Sequence, residues 1–192
     1  MSEPLRDTPA SWPVTDTEDL HRDGWVVALR ADRVTTPDGA TARRLVVEHP
    51  GAAVVLAVDD DDRVLLLWQY RHPAGRRFVE VPAGLLDGDA DEEPIAVARR
   101  ELREEAQLQA EEWTHLASSY PSPGITTEVQ HLFLARRLSP ADRGDFELHH
   151  EEADMTSAWV PFSELHDAVL DGRVADGPVI QCVLLARARG LV

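Results

Sequence analysis

One helical segment set between runs typical of β-strands is the strongest constraint on the fold. It runs from Pro94, a residue suited to a first helical position, to about Leu108. Its apolar residues recur at helical spacing and should face a core; they are Ile95, Ala98, Leu102 and Ala106. Strands are predicted on both sides of it, at 25–34, 42–49, 52–58, 64–70, 78–81, 113–120, 128–135 and 156–160. With two closing helices near 163–171 and 178–189, this order predicts an α/β or α+β sandwich with a mixed sheet.

The chain divides into three parts by composition. Residues 1–23 contain three prolines and few apolar residues, which indicates a loosely ordered arm. Residues 24–49 read as a β-hairpin module, because Thr36-Pro37-Asp38-Gly39 has the composition of a turn. Pro50-Gly51 then breaks the pattern, and residues 50–192 are predicted to form the main domain.

Charge and composition restrict the partners. Nineteen Lys and Arg against 35 Asp and Glu give a net charge of −16, which repels the phosphate backbones of nucleic acids. The longest apolar run, 52–58, is far shorter than the roughly 20 residues that span a bilayer. The chain opens without a charged and apolar leader, and its one cysteine, Cys182, fits a reducing compartment. We therefore expect a cytoplasmic protein that binds neither nucleic acid nor membrane.

Three acidic residues of the central helix share one face. Glu101, Glu104 and Glu105 are three and four positions apart, so their charges repel by a few tenths of a kcal/mol per pair, roughly. A cation would offset this repulsion, and carboxylate oxygens suit Mg²⁺ or Mn²⁺. The alternative is an ordinary charged helix face exposed to solvent.

The residues around this helix form a longer motif. Its members are Gly84, Glu92, Arg100, Glu101, Leu102, Glu104, Glu105 and Leu108. The motif resembles the signature of the Nudix hydrolases, with two departures. Seven residues instead of five separate Gly84 from Glu92, and Gln107 stands where glycine is usual. Glycine would let the helix end in a left-handed turn, so Gln107 must find another exit or accept strain.

Flanking segments narrow the resemblance to the ADP-ribose pyrophosphatase branch and its actinobacterial members. These segments are Gln69-Tyr70-Arg71, Glu80-Val81-Pro82-Ala83-Gly84, the Pro123-Gly124 loop and residues 149–155. The resemblance implies a Nudix α/β/α sandwich whose N-terminal β module mediates a homodimer. It also implies Mg²⁺-dependent hydrolysis of ADP-ribose to AMP and ribose 5-phosphate. Two alternatives stay open: another nucleoside diphosphate derivative as substrate, or a module that binds ADP-ribose without cleaving it.

The resemblance also implies roles for the residues of the motif. Glu101 and Glu105 would bind the catalytic metal ions, together with the backbone carbonyl of Ala83. Glu104 would contact a metal ion directly or through water, and Arg100 would orient the carboxylates, a role that suits its planar guanidinium.

Residues outside the motif would complete the site. Glu152 is our prediction for the general base, with Glu151 second; the alternative is an ordinary acidic loop. Arg71 would clamp a phosphate or stack near the base; the alternative is a basic loop exposed to solvent. The resemblance implies that Glu80 takes part in substrate recognition and that Gly124 contacts the substrate.

Overall fold

The computed structural model describes residues 5–24, 26–89, 92–142, 144 and 154–192. Within them lie ten strands and three α-helices: β1 Val14–His21, β2 Ala28–Thr35, β3 Thr41–Glu48, β4 Ala52–Ala57, β5 Arg63–Arg71, β6 Arg76–Glu80, β7 Ala83–Leu85, α1 Pro94–Ala106, β8 Leu108–Ser119, β9 Gln130–Pro140, β10 Thr156–Pro161, α2 Phe162–Leu170 and α3 Gly177–Ala188. None of the helices in this part of the chain is long and apolar enough to cross a membrane.

The chain forms two compact units, Met1–His49 with Ser122–Thr127, and Pro50–Pro121 with Glu128–Val192. The first unit holds an antiparallel sheet in the order β1-β2-β3. The second holds a three-stranded sheet, β10-β5-β6, and a four-stranded sheet, β7-β4-β9-β8. Strands β4 and β9 run parallel and the other pairs antiparallel, so the predicted mixed sheet is confirmed.

Strand β4 is the centre of the larger unit, because both of its faces are buried. Val54 and Leu56 pack in a cluster with residues of α2 and α3, such as Phe162 and Val183. The alternate residues of β4 pack in a second cluster with Val97, Ala98 and Leu102 of α1. A strand covered on both sides reads as a continuous apolar run, which residues 52–58 are. Helices thus lie on both faces of the sheet, and the predicted α/β/α sandwich is confirmed.

The prediction of a loosely ordered arm over residues 1–23 is wrong for residues 14–21. They form β1, which pairs with β2 from Val14 opposite Val34 to His21 opposite Leu29. Every side chain of β1 is exposed, so no alternation of apolar residues marks the strand in the sequence. Its order comes from backbone pairing and from contacts such as Thr17 Oγ1 to Asp32 Oδ1, 3.0 Å.

Helix α1 ends at Gln107 in the conformation that glycine would favour. Gln107 has φ 54° and ψ 39°, in the left-handed region, and its amide donates to the carbonyl of Arg103 at 3.0 Å. The helix therefore ends in a strained left-handed conformation at Gln107, and the chain does not leave the helix in a different backbone conformation. A non-glycine residue there costs about 1 kcal/mol or more.

Replacing Gln107 by glycine should stabilise the protein. We expect Gln107→Gly to raise the free energy of unfolding by about 1 kcal/mol, because glycine adopts this conformation without a Cβ clash. Denaturant unfolding, read as a shift of the midpoint at constant slope, measures the change. Gln107→Ala keeps the Cβ and is the matched control; equal stability of the two variants would contradict the strain argument.

Candidate active site

The acidic face of α1 is packed against protein and is not an ordinary solvated surface. Only 13% of the Glu101 side chain and 16% of the Glu104 side chain are exposed. Oε2 of Glu105 accepts a hydrogen bond from the backbone amide of Ala83 at 3.0 Å. Folding therefore holds the carboxylates of Glu101 and Glu105 close to β7, and the low exposure of Glu101 and Glu104 rules out the solvated-face alternative for these two residues.

Gly84 is explained by how closely β7 approaches α1. A Cβ placed on Gly84 would lie 2.1 Å from Cδ and 2.2 Å from Oε1 of Glu101. The strand is fixed there because Gly84 pairs with Ala53 and Ala83 pairs with Val54 of β4. Any larger residue at position 84 must displace the carboxylate of Glu101.

Arg100 lies among the carboxylates. Its NH2 is 3.2 Å from Oε1 of Glu101, its NH1 is 3.3 Å from Oε2 of Glu92, and its Nε is 4.0 Å from Oε2 of Glu104. Burial by itself lowers the pKa of Arg100, but the charges of Glu101, Glu92 and Glu104 raise it above its ordinary value. Arg100 thus contacts Glu101, Glu104 and Glu92, and its predicted role in orienting the carboxylates stays a prediction.

The donor set suits a hard divalent cation. Glu101, Glu104 and Glu105 supply carboxylate oxygens, and the contact of Glu105 with the amide of Ala83 places this carboxylate beside the Ala83 backbone. In the described part of the chain no three Asp, Glu, His or Cys side chains converge on one cation position. The carboxylates bind Arg100 and the Ala83 amide instead, and a cation would compete with these donors for the same oxygens.

Arg71 and Glu80 form a bidentate pair across β5 and β6. Nε of Arg71 is 2.9 Å from Oε1 of Glu80, and NH2 is 2.7 Å from Oε2. The Glu80 side chain is 9% exposed and that of Arg71 is 43% exposed. Glu80 therefore holds the guanidinium in one orientation, while Arg71 presents part of its charge to solvent.

Asp176 is a charged group near this pair that the sequence analysis did not single out. Its carboxylate caps α3 by accepting a hydrogen bond from the amide of Val179 at 3.0 Å. Burial, and to a smaller extent the charge of Glu80, raises the pKa of Asp176 to about 6, against the opposing effects of the Val179 amide and Arg71. Its position before Gly177-Pro178 marks a helix start in the sequence, but the sequence does not show that Glu80 lies near enough to act on its charge.

Three predicted site residues stay predictions. Glu151 and Glu152 lie outside the described residues. Gly124 belongs to the smaller unit. Among the described residues nearest to Glu151 and Glu152 in sequence, Asp154 accepts a hydrogen bond at Oδ2 from NH1 of Arg77 at 3.0 Å.

The comparisons with known proteins agree with this geometry. A family model described as NUDIX domain matches residues 47–181. Over 172 residues the chain is 44% identical to the ADP-ribose pyrophosphatase of Mycobacterium tuberculosis. The aligned region covers 90% of this chain and 81% of that protein. Over 116 residues it is 42% identical to the ADP-ribose pyrophosphatase of Bacillus subtilis, 60% of this chain and 62% of that protein.

A solved structure supports the fold. The crystal structure of an ADP compounds hydrolase matches with a TM-score of 0.77 and covers 97% of this chain and 98% of that chain. At 18% sequence identity this likeness shows the architecture alone.

Gly84→Ala should weaken binding of a divalent cation by at least about tenfold, because the new methyl group displaces the Glu101 carboxylate. Titration with Mn²⁺, followed by electron paramagnetic resonance, measures the affinity. Gly177→Ala is the matched control, since a Cβ there has no neighbour within 4 Å among the described residues. Equal Mn²⁺ affinity in both variants would refute the assigned position of Glu101.

Asp176→Asn should change how stability depends on pH. The pKa of Asp176 is raised from 3.8 to about 6 in the folded protein. Its contribution to the stability of the wild type is therefore fully present below pH 3.8 and is lost as the pH rises through about 6. The amide still caps α3 but carries no charge, so the variant should be more stable by up to about 3 kcal/mol near pH 8, and nearly equal near pH 4.

Unfolding free energies of both proteins across this pH range check the expectation. The exposed residue Asp167, replaced by Asn, is the control and should change stability little at any pH. If the difference in unfolding free energy between Asp176→Asn and the wild type did not change with pH, burial would not destabilise the charged form of Asp176, and the expectation would be wrong.

Proposed function

Because the chain belongs to the Nudix family, we propose that it hydrolyses the diphosphate bond of ADP-ribose to AMP and ribose 5-phosphate with Mg²⁺. The observation that carries the proposal is the packing of Glu101 and Glu105 against Ala83 and Gly84. The choice of substrate is supported by two similar proteins, one from Mycobacterium tuberculosis and one from Bacillus subtilis, which are both named ADP-ribose pyrophosphatase.

The carboxylate side chains of α1 would hold the cation. Glu101 and Glu105 would bind it with the backbone carbonyl of Ala83, and Glu104 would contact it directly or through water. When bound, Mg²⁺ would offset the charge of the diphosphate and activate water for attack on phosphorus. Arg100 would keep Glu101 and Glu104 in position, because its guanidinium already lies 3.2 Å and 4.0 Å from them.

Arg71 and Glu80 would recognise the substrate. A guanidinium that is held by a buried carboxylate loses little conformational entropy when it binds a phosphate. Glu152, with Glu151 second, remains our proposal for the base that removes the proton from the attacking water. In the sequence both precede β10.

Glu105→Gln should lower kcat for ADP-ribose by at least about a hundredfold, because it removes one charge that positions the cation. Glu164→Gln, an exposed glutamate at the start of α2, is the matched control and should keep full activity. Mass spectrometry of the products formed in ¹⁸O-labelled water identifies the bond broken and the phosphorus attacked. Undiminished turnover by Glu105→Gln would overturn the proposal.

Measurements of turnover and binding with several substrates separate the alternatives. A panel of nucleoside diphosphate derivatives ranked by kcat/KM decides whether ADP-ribose is preferred, since this ratio measures discrimination between substrates. Tight binding of ADP-ribose without products would indicate a binding module. The chain retains Glu101, Glu104 and Glu105, the carboxylates on which turnover depends, and this favours an enzyme.

We also propose that a second copy of the chain covers the sheet of the smaller unit. Every side chain of β1 is exposed, and Val14, Leu20 and Leu45 are exposed apolar residues on β1 and β3. An exposed edge strand with apolar side chains is a surface that associates readily.

Leu45→Lys should shift the protein from dimer to monomer, because it places a charge in the apolar contact surface. Analytical ultracentrifugation measures the mass in solution. Leu184→Lys, on an exposed apolar residue of α3 in the larger unit, is the control and should stay dimeric. A dimer that tolerates Leu45→Lys but not Leu184→Lys would place the contact elsewhere.

A further inference from the structure

Two histidines outside the carboxylate site converge on one serine hydroxyl. Nε2 of His115 lies 3.1 Å and Nδ1 of His131 lies 2.9 Å from Oγ of Ser118. A serine hydroxyl has one proton, so it donates to one imidazole and accepts from the other. Both ring nitrogens are therefore aimed at the same small volume on the surface of β8 and β9.

A β-bulge creates this convergence. His115 is opposite Phe133 and Ser118 is opposite His131, with the register shifting between His115 and Ala117. In a regular strand, residues three apart point to opposite faces. The extra residue in the bulge turns His115 to the face that carries Ser118 and His131, which is how bulges re-aim side chains.

The ring of His115 is held from one side by aromatic contacts. Its centroid is 5.4 Å from that of Phe133, and Phe133 packs edge-on against Trp113 at 6.4 Å. The guanidinium of Arg99 lies 5.9 Å from the Trp113 ring. Such support reduces the entropy that His115 would lose on binding a ligand.

We propose that His115 and His131 form a binding site for one transition-metal ion of the Zn²⁺ or Cu²⁺ class. Imidazole nitrogen is a preferred ligand of these ions, whereas Mg²⁺ prefers the oxygens of the carboxylate site. Ser118 would rotate away or serve as a weak third ligand, and water would complete the coordination.

The environment of His131 suits metal binding. An imidazole must be neutral to bind a metal ion. Burial, with a smaller effect from the charge of His115, lowers the pKa of His131 below its ordinary value. This shift favours the neutral imidazole that a metal ion requires.

The site uses none of the carboxylates of α1, although Glu101 and His131 lie on one face of the sheet. Gly84, which contacts Glu101, pairs with Ala53, and Ala53 pairs with His131. Two strand spacings separate Gly84 from His131, roughly 10 Å. The proposal thus does not depend on the hydrolytic function.

Metal titrations in saturating Mg²⁺, which occupies the carboxylates, test the proposal. Calorimetry with Zn²⁺ gives affinity and stoichiometry, and electron paramagnetic resonance with Cu²⁺ counts the bound nitrogens. The variants are His115→Gln and His131→Gln. The controls are His166→Gln, in α2, and the double variant His149→Gln with His150→Gln, which removes the adjacent pair of the acidic loop.

The wild type and both controls should bind one ion through two nitrogens. Each site variant should retain one nitrogen and bind at least about tenfold more weakly. Equal affinity of His115→Gln and the wild type would overturn the proposal, as would a loss of binding confined to the His149 and His150 variant. His115 is exposed, so its variant keeps the test decisive even if His131→Gln does not fold.

Discussion

The candidate active site depends on holding three negative charges together on one helix. Glu101, Glu104 and Glu105 repel one another, yet Glu101 and Glu105 pack against β7 and only 16% of the Glu104 side chain is exposed. Arg100 and the amide of Ala83 offset part of the repulsion. The approach is so close that only glycine fits at position 84 without moving Glu101. A divalent cation would relieve a repulsion that folding has already imposed.

Strand β4 connects this helix to the rest of the larger unit. One face of β4 packs against α1, and the other packs against α2 and α3. At the start of α3, Asp176 lies near enough to Glu80 and Arg71 for their charges to change its pKa. The carboxylate helix therefore packs on the four-stranded sheet, whereas the Arg71–Glu80 pair lies on β5 and β6 of the three-stranded sheet.

The parts of the fold with strong local patterns could be predicted. The apolar spacing of α1 predicts its buried side. The uninterrupted apolar run at 52–58 predicts a strand that is buried on both faces. Strand β1 could not be predicted, since its side chains are all exposed and its order lies in backbone pairing. The left-handed end of α1 was one of two possibilities, because local sequence does not show whether a glutamine accepts strain.

The sequence by itself determined which carboxylates share a face, because residues three and four apart in a helix are neighbours whatever surrounds it. It also determined the place of Arg100 beside them. Tertiary structure alone decided that Glu80 binds Arg71, that Asp176 lies near both, and that His115 and His131 meet at Ser118. These contacts depend on strand register, helix packing and a bulge, and small changes in any of them would separate the same residues.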